Sequence, residues 1–170
     1  MFANFLRENK IAAGILTVLR FYIGYAWLTA GWGKITGGFD AGGYLQGAVA
    51  KAGGDHPAVQ GWWANFLEGV AIPNADAFTF LVMWGEFLVG LALILGIFTN
   101  FAAVMGLTMN FAFLLSGTTS TNPQMVLLTI FIAAAGVNAG RYGLDRWVIP
   151  FLKDMKWKQN NNKKAVTAHT

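Results

Sequence analysis

The sequence predicts an all-α integral membrane protein, a four-helix bundle with a long outer loop between helices 1 and 2. Three observations lead there. Of 170 residues, 55% are hydrophobic and 12% are charged, against about 45–50% apolar and about 25% charged in soluble domains. Twelve basic and eight acidic side chains cannot clothe a soluble domain of this size, and the mean hydropathy is +0.48. Second, the apolar residues gather into four runs with almost no charge on any face, whereas a soluble amphipathic helix keeps a charged stripe. Third, the basic residues are placed asymmetrically around those runs.

The first run, about 11–33, is broken only by Arg20, and the second, about 77–98, only by Glu86. The third and fourth are short by themselves and reach the roughly 20 residues that a crossing needs when extended to about 100–117 and 124–142. Arg7 and Lys10 precede the first run. Arg141, Arg146, Lys153, Lys156, Lys158, Lys163 and Lys164 follow the fourth, so nine of the twelve basic residues fall on one side. The connection 36–76 carries Lys51 against Asp40, Asp55, Glu68 and Asp76. Basic residues concentrate on the cytoplasmic side, so both termini are expected there, in a multi-pass protein of the cell membrane with no removable signal peptide. Residues 1–146 form the membrane domain, and 147–170 a basic cytoplasmic tail whose end, from Gln159, is expected to be disordered. The tail suits anionic lipid better than nucleic acid.

The outer loop is too long for a plain turn. Its second half sets Val59, Trp62, Trp63, Phe66 and Val70 on one helical side, either as an interfacial anchor or as a lid over a ligand.

Ionisable groups at membrane depth need a partner and a reason. Arg20 lies about 14 Å along its helix from Ile11, and Glu86 about 18 Å from Phe98; antiparallel packing would bring them to one depth. They are expected to pair, directly or through water, as a structural pin or as a catalytic polar centre. Arg20, Gly24, Trp27, Gly31 and Lys34 recur at steps of 4, 3, 4 and 3, a single stripe whose glycines admit a neighbouring helix. Lys34 either snorkels to the headgroups or offers a cation to a substrate. Thr79, Met83, Glu86, Gly90 and Leu93 make the matching stripe. Asn110 is expected at the same depth, within reach of Arg20 or Glu86. Gly136 and Gly140 suggest close helix packing in the fourth run, and Asn138 is ambiguous. Asp145, among Arg141 and Arg146, defaults to a salt bridge at a helix end or to partner docking.

Other chemistry is poorly served. The chain has no cysteine and two histidines, His56 and His169, so no thiolate site, iron–sulfur cluster, haem or metal centre is expected. His56 sits in a turn-like Asp55-His56-Pro57, and the glycine pairs lack the Lys-Ser/Thr of a phosphate loop.

Taken together, Arg20-Phe21-Tyr22-Ile23-Gly24 through Ala30-Gly31-Trp32-Gly33-Lys34, then Glu86 with Gly90-Leu91-Ala92-Leu93-Ile94-Leu95-Gly96, and Gly140-Arg141-Tyr142-Gly143-Leu144-Asp145 resemble the DoxX/DoxD family of small four-helix membrane proteins. The resemblance covers about Leu19 to Asp145 and, given the long outer loop, leans to DoxD-like members. It implies a membrane subunit of a thiosulfate:quinone oxidoreductase, with quinone as cofactor, a second subunit or a homo-oligomer as partner, and recurring polar positions at Arg20, Lys34, Glu86 and Asp145. On that reading Arg20 and Glu86 are the catalytic pair, Lys34, Asn110 and Trp27 touch substrate, and Gly24, Gly31, Gly90 and Asp145 are structural or docking positions. Two further readings stay open: a non-catalytic scaffold that assembles redox or oxidative-stress proteins, and a small-solute or proton transporter built as an oligomer.

Overall fold

The computed structural model describes residues 1–167, with side chains described through residue 155 and at Trp157. Every regular element among the described residues is helical. A short helix α1 (Phe2–Glu8) leads into α2 (Lys10–Gly37), which starts where the Asn9 side chain accepts the backbone N–H groups of Ile11 and Ala12 and ends on Gly38 in the left-handed region. Both are standard ways to satisfy helix-end groups. Within the outer segment, α3 (Ala41–Ala50) is capped by Asp40, whose carboxylate accepts from the N–H of Gly42 and Gly43. Then α4 (Gly61–Phe66) continues through a π-helical turn, Leu67–Ala71, and a 3₁₀ turn, Ile72–Asn74, into α5 (Ala75–Leu95). The second half of the expected loop is thus the start of one nearly continuous apolar helix, 61–95. After Gly96 come α6 (Thr99–Leu115), α7 (Asn122–Ala135), a 3₁₀ segment Gly136–Gly140, and α8 (Asp145–Thr167). Helix therefore extends over 159–167, where the composition suggests disorder; residues 168–170 lie outside the described residues.

Three helical stretches are long and apolar enough to cross a membrane: Lys10–Gly37, Gly61–Leu95 and Asn122–Gly140. The fourth apolar helix, Thr99–Leu115, is shorter. Helix α2 lies against α5 and α7, and α6 lies against the same two. Leu16, Ile23, Trp27, Val89, Leu93, Ala103 and Ile132 fill the space between them. Outward faces carry exposed Ile15, Val18, Tyr25, Leu88, Phe101 and Leu127, as lipid-facing surfaces do.

The closest helix contact is α2 on α5. At Gly31 and Gly90 an added methyl would run into backbone, of Phe87 and Leu28 respectively, and at Gly24 it would meet the carbonyl oxygen of Gly90 at 3.0 Å. These three glycines stand where α2 and α5 approach most closely. Gly136 and Gly140 lie in the 3₁₀ segment and not in a membrane-length α-helix contact, and Gly140 faces the side chain of Asp145 at the start of α8.

Candidate functional site

The glycine contacts fix the relative height of α2 and α5, and with it the partners of the buried charges. Gly31 lies opposite Glu86 and Phe87, and Gly24 opposite Gly90 and Ile94, so Gly96, at the end of α5, meets Arg20. Glu86 and Arg20 therefore sit about ten residues apart along the contact, roughly 15 Å, and the expected Arg20–Glu86 pair does not form. Glu86 accepts instead from Lys34, Nζ to Oε2 at 2.7 Å. The sequence arithmetic fails because it aligns Ile11 with Phe98. In fact the first ten residues of α2 run past the end of α5 and pack on α1 and the 3₁₀ segment.

Lys34 and Glu86 face a cavity of about 340 Å³, within the range typical of small-molecule sites. Its walls come from α2 (Trp27), α5 (Phe78, Val82), α6 (Phe113) and Met125 of α7. Helices α3 and α4 form its roof, presenting Tyr44, Trp63 and Phe66. The roof is tied down by polar contacts: Trp63 donates its indole N–H to Ser116 Oγ (3.0 Å), Tyr44 and Thr118 share a hydroxyl hydrogen bond (3.0 Å), and Lys51 donates to the Gly117 carbonyl (3.2 Å). Rings pack around the space, with Tyr44 edge-on to Phe113 at 6.1 Å and Trp63 stacked on Phe66 at 5.1 Å. Lys34 Nζ lies 5.6 Å above the Phe39 ring, a favourable cation–π distance. The expected single face of the outer loop is divided: Trp63 and Phe66 line the cavity, Val59 is buried, and Trp62 and Val70 point outward.

Two buried polar groups among the helices have no protein partner. The Trp27 indole N–H is buried against Gly106 and unbonded. Asn110 is fully buried, with neither amide atom bonded, so it reaches neither Arg20 nor Glu86. Gly106, one turn before Asn110, leaves the space that the Trp27 indole fills, 3.1 Å from where a methyl would stand. Buried polar groups are almost always satisfied by protein, water or ligand.

The remaining predicted residues gather around the 3₁₀ segment, which α1 and α8 both contact. Arg20 is buried and donates from Nη1 to the carbonyl of Ala139 at 3.1 Å, while its Nε has no partner. Asp145 is buried too, and its carboxylate accepts the N–H groups of Phe98 and Thr99 at 2.7 and 2.9 Å. It caps the start of α6 rather than pairing with Arg141 or Arg146. Negative charge at a helix N-terminus is favourable. Asn138 donates to the carbonyls of Leu6 and Asn9, fastening the chain start to the 3₁₀ segment.

Sequence reasoning did not find Phe39, Tyr44, Phe113 or Ser116. A signal for α3 exists: Asp40 as a cap, followed by Ala41, Tyr44, Leu45 and Ala48 at helical spacing, of which Ala41, Leu45 and Ala48 are buried. No group of acidic or histidine side chains arranged to hold a metal occurs among the described residues.

Several long apolar helices around a roofed, aromatic-lined cavity define a multi-pass membrane protein. The DoxX family model matches residues 15–118, and the chain belongs to the DoxX family. The match takes in Arg20, Lys34, Glu86, Asn110 and the roof, whereas Gly140–Asp145 lies beyond it. Searches of curated proteins and of solved structures return no match to this chain.

Proposed function

We propose that this protein is the membrane subunit of a quinone-linked oxidoreductase of the thiosulfate:quinone type, and that its quinone site is the Lys34–Glu86 cavity rather than an Arg20–Glu86 centre. The observation that carries this reading is an ion pair with a buried carboxylate facing a largely apolar, aromatic-walled space. Such a pair is costly to maintain in a low-dielectric site, and intramembrane charges usually mark function. All four apolar helices cross the cell membrane in this reading, with both termini in the cytoplasm.

The residues present suit a quinone head group. Aromatic rings offer flat surfaces against which a conjugated ring packs. Lys34 and Trp27 stand two turns apart on one face of α2, about 10 Å by the helix rise, so that Lys34 brings an ammonium and Trp27 an aromatic surface to the cavity. When bound, a quinone supplies two-electron acceptance coupled to the uptake of two protons at its ring oxygens. Lys34 stabilises negative charge developing at one end, and Glu86, held at 2.7 Å from the ammonium, exchanges protons as a general acid–base. A chain without cysteine has no thiolate to pass electrons, so the electrons come from a reduced sulfur anion handled by a second subunit.

Organic extraction of gently purified protein, followed by mass analysis, should recover close to one quinone per chain. Membranes should reduce a short-chain quinone when thiosulfate is added. Glu86→Gln should lower that rate about 100-fold, the usual range for a lost acid–base group, while the protein remains folded. Quinone-free protein with no donor-dependent reduction would overturn the assignment.

A further inference from the structure

A second recess, about 440 Å³, is lined by Arg20, Ile94, Leu95, Tyr142, Arg146 and Trp147. It lies some fourteen residues of α2, roughly 20 Å, from the Lys34–Glu86 cavity and is independent of that cavity's function. Three features mark it. Arg20 forms the floor: it is 1% exposed, its one hydrogen bond among the described residues is to Ala139, and its Nε is unpartnered. Exposed Arg146 stands at the rim, its guanidinium 4.8 Å over the Trp147 ring. Asp145, the one carboxylate nearby, is committed to the N–H groups of Phe98 and Thr99. Two guanidiniums against one occupied carboxylate leave the recess net positive.

Its setting fixes the kind of anion. The recess opens where α5 ends and α8 begins. Along α8, Trp147, Phe151 and Met155 are exposed at steps of four, beside the basic Arg146 and Lys153. A helix with an apolar stripe, a Trp and flanking basic residues lies in a membrane interface, which puts the recess at headgroup level. Exposed Phe21 and Leu95 continue from it along the outer faces of α2 and α5, as a path for an acyl chain. Guanidinium groups prefer phosphate oxygens, which they bind through paired N–H donors.

We infer that this recess is a binding site for an anionic phospholipid, its phosphate held between Arg20 and Arg146 and one acyl chain lying over Phe21 and Leu95. The test is native mass spectrometry of the purified full chain in detergent, titrated with phosphatidylglycerol, with phosphatidylcholine, or with inorganic phosphate. Phosphatidylglycerol should bind one per chain, at least tenfold more tightly than phosphatidylcholine. Arg146→Ala, at an exposed position, should weaken it about tenfold. Lys153→Ala, on the same helix but outside the recess, should leave it within twofold. Equal retention of the two lipids, or equal losses from Arg146→Ala and Lys153→Ala, would reduce the effect to general attraction and overturn the site. Displacement of the lipid by inorganic phosphate at millimolar concentration would show that the acyl path contributes nothing, and would overturn it as well.

Discussion

Glu86 keeps its side chain 2% exposed, whereas that of Lys34 is 26% exposed, and this asymmetry decides what each loss costs. Lys34→Met leaves a carboxylate stranded in an apolar surround, the situation that makes broken buried pairs expensive. Glu86→Gln leaves an ammonium on a flexible stem that can turn toward water. Lys34→Met should therefore destabilise by about 3 kcal/mol, at the low end for a broken buried pair, and Glu86→Gln by about 1 kcal/mol. The double variant, with neither charge, should recover most of the loss, and denaturation of the four proteins in one detergent gives the coupling directly. Strictly additive losses would mean that the pair contributes no interaction. The stripe Arg20–Gly24–Trp27–Gly31–Lys34 is readable in the sequence because helical periodicity is local. The partner of Glu86 is not readable, since it depends on how far one helix slides along another. Asp145 is similar: its nearest charges in sequence are Arg141 and Arg146, yet it bonds the chain almost fifty residues earlier, at Phe98 and Thr99.

At the scale of elements, that slide is set by glycine. At Gly31 and Gly90 the helices approach until no methyl fits between backbones, so van der Waals contact, which drives helix association in lipid, is greatest there. Gly90→Ala should cost about 2 kcal/mol by overpacking and, by parting α2 from α5, should loosen the Lys34–Glu86 contact. Gly14 is the control, since nothing lies within 4 Å of its added methyl. Gly14→Ala should be neutral or stabilise by about 0.5–1 kcal/mol through helix propensity. Comparable losses from both substitutions would mean that the glycines mark flexibility and not contact. The glycine positions in α2 and α5 are legible as small-residue stripes, but the same reasoning fails at Gly136 and Gly140. There the chain has left α-helix for a 3₁₀ segment, and spacing by four no longer means one face. The outer segment is misjudged for a related reason. Trp62 and Trp63 are adjacent in α4 and so lie about 100° apart around its axis, while the π and 3₁₀ turns after Phe66 shift Val70 off the period of α4. Trp62 therefore points outward and Trp63 over the cavity.

For the whole molecule, the number and order of apolar runs are plain in the sequence because hydropathy is counted locally, whereas the roofed cavity arises from six helices, α2 to α7, meeting and has no local signature. The sidedness of the molecule is an inference from charge, and the chain's own composition makes it testable. With no native cysteine, any introduced thiol is unique. Glu8, His56 and Lys153 are all exposed, at the chain start, on the outer segment and on α8 respectively, so a cysteine at any of them disturbs no packing. If the four apolar helices all cross and basic residues face the cytoplasm, His56→Cys should react with a membrane-impermeant maleimide added to intact cells. Glu8→Cys and Lys153→Cys should react only after the membrane is opened. Were all three to label from the same side, the outer segment would not be outer, and the Lys34–Glu86 cavity would open toward the cytoplasm. A sulfur-handling partner would then have to dock beside the basic tail instead of across the membrane from it.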